Sequence, residues 1–290
     1  MIKCRKGVGD ITFDVLNYGF MLFIAFVTLY PFYYILIGSL SSIGSVVSGK
    51  FLLWPEGFNI GAYSVVFKNP MIPGAYKNTI FITIAGTIIS MTLTVLGAYV
   101  LSKKYLPGRN YLTLFVIITM MFNGGLIPTY LTVKAVGFGN TLWVLIIPGC
   151  ISAYNMIVMR NFFMTIPSSM EESANIDGAS QIQILISIIL PLALPVIATI
   201  SLFYAVSYWN SYFNAIIYLT NSDYWPLQVV LREVLIQGKT EYFMFEDELN
   251  VPTENVKMAL VIVTILPILC VYPFLQRYFV KGLMVGSLKG

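Results

Sequence analysis

Six stretches of the chain are free of Asp, Glu, Lys and Arg: residues 15–38, 79–102, 111–131, 141–159, 188–213 and 258–276. Each has about the 17 to 25 residues that a helix needs to cross the hydrocarbon core of a bilayer. This pattern predicts an all-α membrane protein, one domain of six transmembrane helices over residues 1–290. The first stretch follows Lys3, Arg5 and Lys6, as the core of a secretory signal would. It is longer than the roughly 7 to 15 residues of such a core, and it is read as a retained helix.

The polar segments between the stretches set the orientation. With the N-terminus in the cytoplasm, the inner segments hold Lys3, Arg5, Lys6, Lys103, Lys104, Arg109, Arg160, Arg277, Lys281 and Lys289 against Asp10, Asp14, Glu171, Glu172 and Asp177. The outer segments hold the other seven cations and eight acids. That asymmetry obeys the positive-inside rule and places both termini in the cytoplasm. Two long outer segments, 39–78 and 214–257, are rich in Tyr, Trp, Pro and Gly. They form either a folded cap or aromatic anchors at the headgroup level. On the inner side, residues 103–110 make a short turn and 160–187 form the one long excursion.

Composition narrows the function. The chain is 58% hydrophobic and 10% charged, where a soluble domain carries about 25% charged residues. A net charge of +4, scattered along the chain, lacks the concentrated basic face of a nucleic-acid groove. With no His, a Ser-His-Asp or Cys-His relay and an HExxH zinc site are impossible within the chain. Cys4, Cys150 and Cys270 are odd in number and far apart, suggesting neither a disulfide framework nor a metal site. Gly238-Lys239-Thr240 imitates the end of a phosphate-binding loop, but the position five before Gly238 is Glu233 and the segment is expected outside the cell. No catalytic residue, metal ligand or cofactor of its own is expected.

The long inner segment reads PSSMEESANIDGASQIQILISIILPLALP from Pro167. Ser168 followed by Glu171 has the spacing of a capping box, so a helix should begin there with two acids near its positive end. Gly178 suits the end of that short helix. A second short helix, 180–187, should run on to Pro191 and Pro195 at the membrane entry. Glu172-Ser173-Ala174, three residues, Gly178, nine residues, then Ile188-Ile189-Leu190-Pro191 resembles the EAA motif of the membrane subunits of ATP-binding-cassette importers, with Ser173 in place of the first Ala. FNGGLIPTYL (122–131), WNSYFNA (209–215) and the tail QRYFVKGLMVGSLKG (276–290) resemble the carbohydrate-uptake branch of these permeases, the maltose-type second membrane subunit and its oligosaccharide relatives.

The resemblance implies a mechanism and a set of partners. The helix carrying Glu172 would sit in a groove of a cytoplasmic ATPase, with Glu172 as polar anchor, Ala174 permitting close approach and Gly178 as the bend. Glu171, Ser173 and Asp177 complete the implied ATPase-coupling surface. The tail after residue 276, through Lys281, Gly282, Gly286 and Lys289, would reach between the ATPases; a basic anchor against anionic lipid is the alternative. Implied partners are two ATPases holding ATP and Mg, a second homologous membrane subunit, an extracytoplasmic solute-binding protein and the oligosaccharide carried. The implied location is a bacterial cytoplasmic membrane.

No charged residue lies within the six stretches, which argues against an ion or proton pathway. A neutral substrate fits, or one whose charge stays out of the membrane centre. Tyr204, Tyr208 and Tyr212 recur every four residues beside Trp209, Asn210 and Asn214, a pattern suited to sugar C–H faces and hydroxyls; bundle core or interfacial anchors is the alternative. In the third stretch Asn123-Gly124-Gly125 and Pro128 interrupt the helix, which either lines the route or forms a packed kink. Thr83, Thr87, Ser90 and Thr94, with Gly86, Gly97 and Ala98, form a small-residue stripe, read as a helix-packing face for which the partner subunit is one candidate. The competing function is an ion-coupled secondary transporter of a neutral solute.

Overall fold

Every regular element among the described residues, 8–47, 53–236 and 253–287 of a computed structural model, is helical. The first apolar stretch lies within α1 (Val8–Ser39), followed by the short helices α2 (Ile43–Val47) and α3 (Gly61–Lys68). α4 (Met71–Ser102) contains the second stretch as one unbroken helix. The last stretch lies within α14 (Thr253–Ser287), to which the intervening helices lead.

The three middle stretches are each broken. α5 (Arg109–Met121) and α6 (Leu126–Val136) meet at 111°. Between them Gly125 has φ +86°, and its N–H donates to the Asn123 side chain at 3.0 Å. Glycine alone takes that conformation without steric cost, so Gly124-Gly125 becomes a sharp corner. The fourth stretch begins as 3₁₀ turns, Leu142–Leu145 and Ile147–Gly149, and continues at 51° into α7 (Ala153–Phe163), whose first turn is capped by Ser152. The loop helices are α8 (Ser168–Ile176) and α9 (Gln181–Ile184). A π-helical segment, Leu185–Ile189, leads to the turn α10 (Leu190–Leu192) and, at 85°, to α11 (Leu194–Trp209). Pro195 opens α11, where its missing N–H costs nothing. The expected span 188–213 is thus divided, and its straight part is α11. α12 (Phe213–Tyr218) and α13 (Leu227–Leu235) follow. By length and apolar character the described helices allow three spans, or six if each bent pair is one.

The chain divides into two compact units, residues 1–69 with 234–265, and residues 70–233 with 266–290. In the first, Asn255 donates from Nδ2 to the carbonyls of Gly38 and Ser41 at 3.0 and 2.9 Å, joining the start of α14 to the end of α1. α1 exposes Phe13, Leu16, Phe20, Phe23 and Phe26, as suits a helix that is apolar on all sides and meets lipid. In the second unit α4 is the central strut, lying mainly on α11 and α7. The small-residue stripe is this packing face. A Cβ on Gly86 would stand 2.7 Å from the Tyr208 ring, and one on Gly97 2.8 Å from the tip of Met156. The stripe therefore meets helices of its own chain at Gly86, Ser90, Thr94 and Gly97.

The described part of the segment 214–257 is folded. Asn78 of α4 donates to the carbonyls of Asp223 and Trp225 at 2.8 and 3.2 Å, and the N–H of Leu227 donates to Thr79 Oγ1 at 2.8 Å. These bonds hold α13 over the start of α4.

Candidate functional site

α8 is an exposed helix fastened by two residues. Among its side chains only Glu171 and Ala174 are partly covered, while Met170, Glu172, Ser173 and Ile176 face outward, with Asp177 at its C-cap. The capping box expected at Ser168 and Glu171 does not form: Pro167 takes the cap position without a side-chain bond. Glu171 instead pairs with Lys103, the residue that ends α4. A buried ammonium without a carboxylate is costly, and this pairing outweighs a local cap. The reciprocal capping box is formed one helix later by Ser180 and Gln183.

α8 closes through Gly178 in a Schellman arrangement. Gly178, at φ +82°, donates its N–H to the Asn175 carbonyl at 3.1 Å, and Ala179 donates to the Ala174 carbonyl at 2.9 Å. Ala174 and Ala179 are the small apolar pair this turn requires, both set against the core. The spacing between Ala174 and Gly178 is thereby explained as helix-terminating geometry.

Sequence reading did not anticipate the clamp behind α8. Lys103 Nζ lies 3.7 Å from the centroid of the Tyr99 ring. The Tyr99 hydroxyl donates to Gln181 Oε1 at 3.1 Å, and Gln181 Nε2 donates to Asn175 Oδ1 at 3.0 Å. Arg160 of α7 donates from Nε to the Leu101 carbonyl at 3.0 Å. The loop 160–187 is thus tied to one end of α4. The available sequence signal was weak: two polar residues, Tyr99 and Lys103, four apart at a helix end.

The expected substrate residues are partly brought together. A cavity of about 470 Å³ is lined by Ser152, Asn155, Tyr204, Ser207, Tyr208, Asn210, Ser211, Tyr212 and Asn214, among others. Tyr204 and Tyr208 also belong to the bundle core. The Tyr204 hydroxyl hydrogen-bonds Thr94 Oγ1 at 2.7 Å and accepts the Ser152 N–H at 3.1 Å, and the Tyr208 hydroxyl hydrogen-bonds Ser90 at 2.8 Å. Tyr212 lies beyond the end of α11, so the four-residue recurrence breaks, although Tyr212 still lines the cavity. Trp209 lies apart, edge-on to Tyr76 at 6.5 Å and facing an apolar crevice with Thr83. Asn123 is exposed at the α5–α6 corner and does not line the cavity.

Lys281, Gly282 and Gly286 fall within α14, which continues through residue 277 without a break, whereas Lys289 lies outside the described residues. So does Gly238-Lys239-Thr240.

Residues 94–285 match the family described as binding-protein-dependent transport system inner membrane component, whose members bind no cofactor themselves. The chain is 45% identical to a polygalacturonan/rhamnogalacturonan transport system permease protein of Bacillus subtilis, over 96% of this chain and 98% of that one. It is 43% identical to the LplC protein of the same organism, over 96% and 95%. Among solved structures, one chain of a bacterial ATP-binding-cassette transporter involved in import of the acidic polysaccharide alginate superposes with a TM-score of 0.89 at 34% identity, covering 96% of this chain and all of that one. The match takes in the segment that carries the EAA resemblance, Glu172 to Pro191, and most of α14. The chain belongs to the family of binding-protein-dependent transport system inner membrane components, as the multi-pass, non-catalytic membrane subunit of an ATP-binding-cassette importer.

Proposed function

We propose that the chain forms half of the translocation pathway for an oligosaccharide of the pectic type and is driven through α8 by cytoplasmic ATPases. Support for the substrate comes from its full-length relatedness to a polygalacturonan/rhamnogalacturonan permease and from the cavity's hydroxyl, amide and aromatic lining. A second, homologous membrane subunit supplies the other half. An extracytoplasmic binding protein delivers the sugar on the side of α13, and both termini lie in the cytoplasm of a bacterial cell.

One observation carries the coupling role: α8 turns Glu172, Ser173 and Asp177 outward while Glu171 and Ala174 bind it to the body. In this reading Glu172 is the ATPase-facing anchor, Gly178 keeps the turn tight, and Glu171 couples through Lys103. Closure of two ATPases then supplies the differential binding energy that an inward/outward equilibrium requires. Lys281, Gly282, Gly286 and Lys289 extend this contact at the C-terminus.

Gly178→Asp places a side chain at φ +82°, at a cost of about 1 kcal/mol, and adds a negative charge at the wrong end of the α8 dipole. This variant and Glu172→Lys are expected to abolish uptake while inserting normally into membranes. Normal uptake by both would remove the coupling role. Truncation after Gln276 separates the two tail readings: loss of ATPase coupling supports the contact, and unaltered coupling leaves a lipid anchor.

A further inference from the structure

The cavity wall carries no charged side chain, yet a guanidinium stands beside it. α13 presents Gln228 and Arg232, four residues apart and so on one helical face. Gln228 Nε2 donates to Asn210 Oδ1 at 3.2 Å, and the Arg232 guanidinium carbon lies 4.6 Å from the centroid of the Tyr212 ring. Asn210 and Tyr212 both line the cavity, so this face of α13 is applied to its rim. The neighbouring acid, Glu233, is buried and is not without a partner. Among the described residues Arg232 has no carboxylate partner.

A half-exposed guanidinium over an aromatic ring is attracted to the ring face, and that contact occupies none of its N–H donors with a hydrogen-bond acceptor. Those donors form a planar fork that matches a carboxylate in two parallel hydrogen bonds. From this geometry we infer that Arg232 is the carboxylate-reading residue of the pathway, receiving a uronate of an acidic oligosaccharide at the cavity rim. The sugar ring then lies along Tyr212 and the amides of Asn210 and Asn214, and its charge stays out of the uncharged membrane interior. The inference rests on the oligosaccharide reading and adds to it the charge of the substrate and the residue that selects it.

The test uses the whole transporter, with its binding protein, partner subunit and ATPases, in proteoliposomes. Short oligogalacturonates are compared with the same oligomers after reduction of their carboxyl groups to primary alcohols. Arg232→Gln should lower the ratio of acidic to neutral uptake about tenfold or more, the factor expected when one charge-assisted pair is lost. Arg232→Lys should recover most of that ratio. A purely structural arginine would lower both uptakes together, and an unchanged ratio overturns the inference. A wild-type transporter that carries only the neutral oligomers overturns it while leaving the oligosaccharide reading intact. A wild type that hydrolyses ATP but carries neither oligomer overturns that reading, and the inference with it.

Discussion

Gly86 lies beneath the ring of Tyr208, which is fixed from its far end by the hydrogen bond to Ser90. Because the ring is held, a methyl group at Gly86 cannot be absorbed by a small rotation. Gly86→Ala is expected to cost about 1 to 3 kcal/mol through overpacking, read as a lower unfolding temperature of the detergent-solubilised complex. Gly97→Ala should be milder, since the atoms it meets are the flexible end of Met156. Gly74→Ala, which meets nothing within 4 Å in α4, should instead stabilise by roughly 0.4 to 1 kcal/mol. A reversed order for Gly86 and Gly74 would contradict the packing described. The small-residue stripe was legible in the sequence as a packing face because its period is helical. Its neighbour was not, because a period identifies a face without naming what covers it. The same limit applies to Tyr204 and Tyr208, where one pattern suited both a sugar wall and a core: both rings are buried in the core and also stand at the wall of the cavity.

At the scale of elements, α8 is defined by where it is tied. Lys103 and Glu171 join it to the end of α4, with side chains 8% and 22% exposed, so the pair is screened less than a surface pair. Lys103→Met leaves a carboxylate with no partner and should loosen α8. Uptake is expected to fall about tenfold, corresponding to roughly 1.4 kcal/mol of lost coupling, while ATP hydrolysis continues uncoupled. The swap Lys103→Glu with Glu171→Lys should recover part of the loss, and ATP hydrolysis that remains fully coupled in Lys103→Met would contradict the strut role. The position and length of α8, and its end at Gly178, were legible because Gly and Pro restrict the backbone locally. Its N-terminus was misread because Ser168 and Glu171 satisfy a local rule that a distant lysine overrides. The corner in the third stretch was signalled by Asn123-Gly124-Gly125 and Pro128, whereas those in the fourth and fifth, beside Pro148 and Pro191 with Pro195, were not expected, because such bends depend on the helices against which each half rests.

Over the whole molecule, the six apolar stretches and the missing histidine already excluded most soluble and enzymatic functions, and family membership removes the ion-coupled alternative. Each of the two units exposes large apolar side chains, among them Phe23 and Phe26 in the first and Ile84, Ile88, Phe115 and Met121 in the second. Such surface belongs against lipid and other membrane helices. Charged and polar side chains stand instead at α8 and at the rim formed with α13, the two places to which the proposed function assigns the ATPases and the delivered sugar. In the proposed mechanism α8 hands ATPase motion to this chain through the edge bearing Glu172. The most direct measurement is cross-linking in the assembled transporter from Glu172→Cys and, separately, Glu171→Cys. ATPase cross-links that change in yield with ATP are expected from position 172, and little or none from position 171. Equal cross-linking from both positions, or none to the ATPase from either, would contradict it.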